Sequence, residues 1–203
     1  MGTERGNGLR APARVSKWPK EDRPPRVTIH HNAPVTAACT GCLVELDDLD
    51  GPTHRYIGAS AACWDVYTRA LAGDPPIGPG RRTALLVDAY AAQHPGEDSP
   101  QATQSAAVHL VVLYAVAHHG FPLHDLVALR QEAVAYGRRN GGFRRLLPTP
   151  SRWDVTIHDV VAESDPEARS AVAASYPKAV LSAWLARHGT AITDWYEAIR
   201  GRN

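Results

Sequence analysis

One segment constrains the fold more than any other. Ala106 to Ala117 is apolar at every position except His109, and Gln104–His118 has no continuous polar face. Ser99 and Pro100 stand before it as an N-cap and a first-turn proline, and Gly120 follows it as a terminator. A helix that is apolar nearly all round must be buried, so other elements have to surround it.

The elements that would do so are also helical in pattern. Ser60 caps a helix over Ala61–Leu71 that Gly73 closes. A second helix covers Arg82–Gln93 and stops at His94-Pro95-Gly96. A fourth is expected over Leu123–Arg139, followed by a Gly-Gly and Arg-rich loop over Asn140–Pro150. After a short helical piece at Ile157–Ala162, Asp165-Pro166 opens a long helix to His188, which Pro177 should kink or split. Gly189 ends it, and Thr190 caps a last helix to Ile199. No convincing alternation of strand length and no internal repeat is visible. The expected fold is an all-α helical bundle with an irregular cysteine-bearing loop, Ala38–Gly58, near the N-terminus, carrying at most a short hairpin. Residues 1–35, rich in Gly, Pro and Arg, read as a tail that Trp18 could dock, and residues 36–203 as a single helical domain.

Composition excludes several classes. The 203 residues carry a formal net charge of +1 and are 44% hydrophobic, as in an ordinary globular protein. Such a balance makes no strong case for nucleic acid. No stretch reaches the roughly 18 apolar residues of a membrane span. Residues 1–35 contain no apolar run of a signal peptide, so a cytoplasmic location is expected. Only Lys17, Lys20 and Lys178 are lysines among 22 basic residues, a bias of GC-rich bacterial genomes. Oligomeric state is not legible.

Three cysteines carry the chemistry. Cys39 and Cys42 form a C-x-x-C, a turn that aims two sulfurs at one ion, and Gly41 is positioned to supply a positive φ. Cys63 is the natural third ligand, in the first turn of the helix after Ser60, where the helix dipole favours a thiolate. Zinc prefers four such donors in a tetrahedron. His94 is the preferred fourth ligand, with His54 as the alternative; His109, buried in its helix, is a weaker one and needs a polar partner in any case. The competing readings are buried core thiols or a redox pair at Cys39 and Cys42.

A second constellation is Asp88, Tyr90 and His109. If the second and third helices pack antiparallel, Asp88 meets His109 and orients its imidazole, as a general base or simply as a satisfied core histidine. A cleft lined by these three would suit a small-molecule ligand. His118-His119 reads as a solvated helix end. Gly137–Arg145 is the basic cluster, an exposed loop or an anion grip with Phe143 for stacking. Asp47, Asp48 and Asp50 lack the Glu that closes a calcium loop. No phosphate-binding glycine loop, HExxH or GxSxG is present.

Gly51–Tyr56 (GPTHRY), Cys63-Trp64, Val87–Gly96 (VDAYAAQHPG) and Gln104–Leu110 (QSAAVHL) together resemble an uncharacterised bacterial family, a domain of unknown function. The resemblance runs from about Cys39 to Gly120 and implies no activity. It implies that Cys39, Cys42, Cys63 and Gln93-His94-Pro95 are the family's own residues. It also implies a departure, because many members carry a histidine where this chain has Thr83. Eleven residues of helix, roughly 16 Å, separate Thr83 from His94, so the two could not share an ion. The expected function is that of a zinc-binding helical protein. The alternatives are a metal-dependent enzyme of small-molecule metabolism with an open coordination position, in which Asp88, His109 and Tyr90 are the catalytic candidates, and a thiol redox protein.

Overall fold

The computed structural model describes residues 35–77 and 84–201. The expected tail with Trp18, and Arg82 and Thr83, lie outside the described residues; the second helix, expected from Arg82, begins at Leu86, with Ala84 and Leu85 in a turn before it. The described chain is helical apart from one small sheet. Strands β1 (Thr36–Ala38) and β2 (Glu45–Asp47) pair antiparallel, Thr36 opposite Asp47 and Ala38 opposite Glu45. Six helices follow: α1 (Ala61–Leu71), α2 (Leu86–Gln93), α3 (Pro100–His119), α4 (Leu126–Arg139), α5 (Ile157–Ala162) and α6 (Pro166–Arg200). A single 3-10 turn, Leu123–Asp125, leads into α4.

The caps explain where the helices begin. The Ser60, Ser99 and Asp165 side chains accept from the backbone N–H three residues on, and Thr156 forms a reciprocal box with Asp159. Gly120 closes α3 in the left-handed conformation at φ 61°.

Helix α3 is central, packed against α2, α4 and α6. Its middle, from Ala107 to Ala115, is where the burial concentrates; Val111, Val112 and Ala115 are completely enclosed. Tyr176, Val180, Trp184 and Ile192 of α6 supply the other side of the core. Two buried polar residues tie the elements together. Gln93 donates to the Val155 carbonyl at 3.0 Å and accepts from the Tyr176 hydroxyl at 2.8 Å, and Arg169 donates to the carbonyls of Glu163, Ser164 and Pro76.

Pro177 does not split α6. It is buried, and packing holds the helix through it despite the missing N–H. The one break in helical geometry falls eleven residues later, at His188 (φ −126°, ψ 15°), beside Gly189. There the His188 ring donates to the Pro148 carbonyl at 2.9 Å. The terminator expected at Gly189 therefore becomes a bend, and the segment after it continues as part of α6. Among the described residues, no helix is long and apolar enough to cross a membrane.

Candidate metal centre

The connection between β1 and β2 is the C-x-x-C turn itself. Cys39 N–H donates to the Val44 carbonyl and Leu43 N–H returns to the Cys39 carbonyl, both at 2.9 Å. The left-handed residue of this turn is Leu43 (φ 67°), in place of Gly41 as expected. Gly41 is required for a different reason: a Cβ there would lie 2.3 Å from His94 Cδ2 and 2.8 Å from the Gly58 carbonyl oxygen. Trp153 holds the turn from outside by donating to the Gly41 carbonyl at 2.8 Å.

Three separate elements deliver the donors to one point. The hairpin brings Cys39 and Cys42, the first turn of α1 brings Cys63, and the C-cap of α2 brings His94. The four ligand atoms all lie within 4.8 Å of one another and could hold a metal ion. They are sealed from solvent, with Cys39, Cys63 and His94 at 0% exposure and Cys42 at 4%. The Cys42 and Cys63 sulfurs are 3.7 Å apart, and Cys63 Sγ is 3.3 Å from His94 Nε2. A disulfide would need about 2.05 Å. The edges of a tetrahedron with metal–sulfur bonds near 2.3 Å and metal–nitrogen bonds near 2.05 Å are roughly 3.8 and 3.6 Å. The donor set therefore fits an ion better than a bond.

Helical spacing places the supporting groups. Tyr90 and His94 are four residues apart on one face of α2, and their rings lie 4.0 Å centroid to centroid. Cys63 and Tyr67 make the matching pair on α1, and Tyr67 stacks on Tyr90 at 3.8 Å. His94 Nδ1 lies 2.8 Å from the Tyr90 carbonyl oxygen. A carbonyl can only accept, so Nδ1 carries the proton and the Nε2 lone pair is left facing the sulfurs. Cys63 Sγ also accepts from the Tyr90 hydroxyl at 3.5 Å, and Cys39 Sγ accepts from the Ser60 N–H at 3.5 Å.

His158 of α5 completes the shell, its Nε2 3.4 Å from Cys63 Sγ. Burial pushes its pKa down, which favours the neutral imidazole that can donate one N–H to a thiolate. Replacing His158 with Ala is expected to weaken metal affinity about tenfold without displacing a ligand, the usual effect of removing an outer partner. Competition with a chromophoric chelator measures it.

Sulfurs this close share protons. Hydrogen bonds from Cys42 and then Cys63 hold the Cys39 thiol far below its ordinary range. The bond to Cys39 in turn pushes Cys42 up to about 11 and Cys63 higher still. Three thiols crowded this closely oppose one another's ionisation, and a bound cation would favour the thiolate form of all three.

The other expected residues are dispersed. His54 is exposed, accepts from the Tyr56 N–H at 3.2 Å, and rests against Trp64; it is not among the four. Asp88 and His109 do meet, Nδ1 to Oδ1 at 2.8 Å. Tyr90 is not with them: two residues turn a helix by about 200°, which sends Tyr90 to the sulfurs and Asp88 to α3. Arg130 joins Asp88 from α4, with Nε 3.0 Å from Oδ1 and Nη2 on Oδ2. In the basic cluster, Arg145 clamps the Gly96 and Glu97 carbonyls, and Phe143 packs edge-on against Trp195 at 5.1 Å. Asp47, Asp48 and Asp50 form no cation cluster among the described residues.

The family profile described as "Family of unknown function (DUF5946)" matches residues 37–185, well over half of the chain. The protein belongs to that family. No curated protein and no solved structure matches it.

Proposed function

We propose that the protein is a zinc-stabilised helical protein, in which Cys39, Cys42, Cys63 and His94 hold one zinc ion as a structural ligand set. The observation that carries this reading is the convergence of three sulfurs and an oriented imidazole nitrogen, from three separate elements, in a pocket sealed from water. Zinc suits this donor set better than a hard cation, which would want oxygen. Three thiolates and an imidazole fill a tetrahedron, and they leave the ion little Lewis acidity to spare. An enzyme working at this ion would need a vacant position reachable by substrate, and the exposure of the four residues argues against one.

The redox reading is weaker for a related reason. Cys39 and Cys42 sit in a hairpin turn instead of opening a helix after a strand, and neither sulfur is open to a partner. Three unpaired thiols suit a reducing compartment such as the cytoplasm.

Elemental analysis of the purified protein is expected to find one zinc per chain. Cobalt substitution is expected to produce the intense visible bands of a tetrahedral thiolate site, lost in Cys63→Ser. A metal-free preparation whose three cysteines all react with a thiol reagent under native conditions would defeat this reading.

A further inference from the structure

Away from the cysteines, α2, α3 and α4 enclose a second polar group. Asp88 is fully buried, yet it faces two basic side chains, Arg130 through both carboxylate oxygens and His109 through Nδ1. Arg130 supplies the one positive charge needed to balance the carboxylate. His109 is an additional partner, and its bond to Asp88 fixes the ring so that Nδ1 points inward. Nε2 makes no hydrogen bond among the described residues, and the ring lines a groove.

That groove has a volume of about 560 Å³ and runs between the start of α3 and the end of α4. Its polar lining includes Gln101, Gln104, Ser105, His109, Arg130 and Arg138, and no acidic residue lines it. Arg138 is exposed and has no ion-pair partner among the described residues. The two helices can close behind the groove because Gly137 lets them approach; a Cβ there would stand 3.3 Å from Gln104 Oε1 and 2.9 Å from the Phe143 ring. The result is a concave surface with neutral hydrogen-bonding groups, an oriented imidazole nitrogen and a guanidinium without an ion-pair partner among the described residues. Such a surface favours negative charge.

We propose that this groove is a binding site for a small organic anion, a carboxylate or a phosphate monoester. Arg138 anchors the charged group and His109 Nε2 hydrogen-bonds to it or to its protic neighbour. Asp88 is a positioning residue: it sets the imidazole and does not line the groove, while Arg130 balances its charge and forms part of the groove wall. The site is independent of the metal centre, since Asp88 and Tyr90 leave α2 on opposite sides.

The test uses the full chain as purified, with its metal content unchanged, and inorganic phosphate and acetate as probes. Titrations are followed by two-dimensional NMR of the backbone amides and histidine rings. At least one probe is expected to shift Gln104, Ser105 and His109 saturably, and the tighter of the two assigns the anion class. Arg138→Gln is expected to weaken that binding about tenfold, the effect of one charge-assisted hydrogen bond. Arg144→Gln, on the exposed loop beyond, should leave it unchanged. Arg138 is exposed, so its loss spares the fold, and an unchanged melting temperature verifies this. The proposal is overturned if neither probe shifts the groove residues, or if Arg138→Gln and Arg144→Gln behave alike.

Discussion

Chelation of the ion is expected to lower the melting temperature by more than about 10 °C while leaving most of the helical signal in place. Structural zinc sites contribute roughly 10–16 kcal/mol of apparent free energy in small peptides. Even about 4 kcal/mol of that, in a domain of this size, corresponds to roughly 8–16 °C. The effect should be local because of where burial lies. Between Val35 and Ser60 the only buried residues are Cys39 and Cys42. Val44, Leu46, Ile57 and Ala59 are only partly covered. This segment has no apolar core of its own, so under the proposed zinc site its attachment would depend on the ligand bonds, with help from Trp153 and the Gly58–His94 backbone bond at 3.0 Å. Helices α3 and α6 keep their packing without it. Trypsin cleavage after the exposed Arg55 should therefore accelerate sharply on chelation, ahead of cuts in the bundle. Equal protease resistance with and without chelator would show that no ion secures the segment.

The second large effect is at Asp88. Asp88→Ala is expected to destabilise the protein by about 3 kcal/mol, the lower end for breaking a buried charge pair, because Arg130 can partly turn outward. Its side chain is already 27% exposed. For a chain of this length that is a fall of roughly 6–12 °C in melting temperature. Asp88→Asn should cost less, since the amide oxygen still accepts from one partner. Joint replacement of Asp88 and Arg130 by Leu and Met should recover much of the loss, because no unpaired charge then remains. Thermal melts of the three variants decide it; a neutral Asp88→Ala would mean that the carboxylate is not engaged as described.

Much of this architecture was legible from local pattern. Helix α3 announced itself because an unbroken apolar segment between Ser-Pro and Gly leaves few other options. The boundaries of α1 followed from its cap residue Ser60 and its terminator Gly73. The cysteine constellation was visible because thiols are few and the C-x-x-C is compact. What escaped was long-range or conformational. His158 reaches Cys63 across 95 residues of sequence, from a helix of six residues with no motif of its own. Arg130 reaches Asp88 across 42. The left-handed residue fell on Leu43, a branched apolar side chain that no turn rule favours. The bend of α6 moved from Pro177 to His188 because burial can override a missing hydrogen bond, which the identity of one residue does not reveal.

The brevity of α2 has a consequence for how the protein can vary. Its eight residues present Tyr90 to one neighbour and Asp88 to another, and His94 terminates it. A single-residue insertion or deletion within it would rotate everything downstream by about 100°. Both polar assemblies would then lose a member in one event, although no side chain had been exchanged. Point substitutions can tune either assembly alone; changes in length cannot. Lineages and engineered variants should therefore tolerate indels in the flanking loops far more readily than in this one short rod.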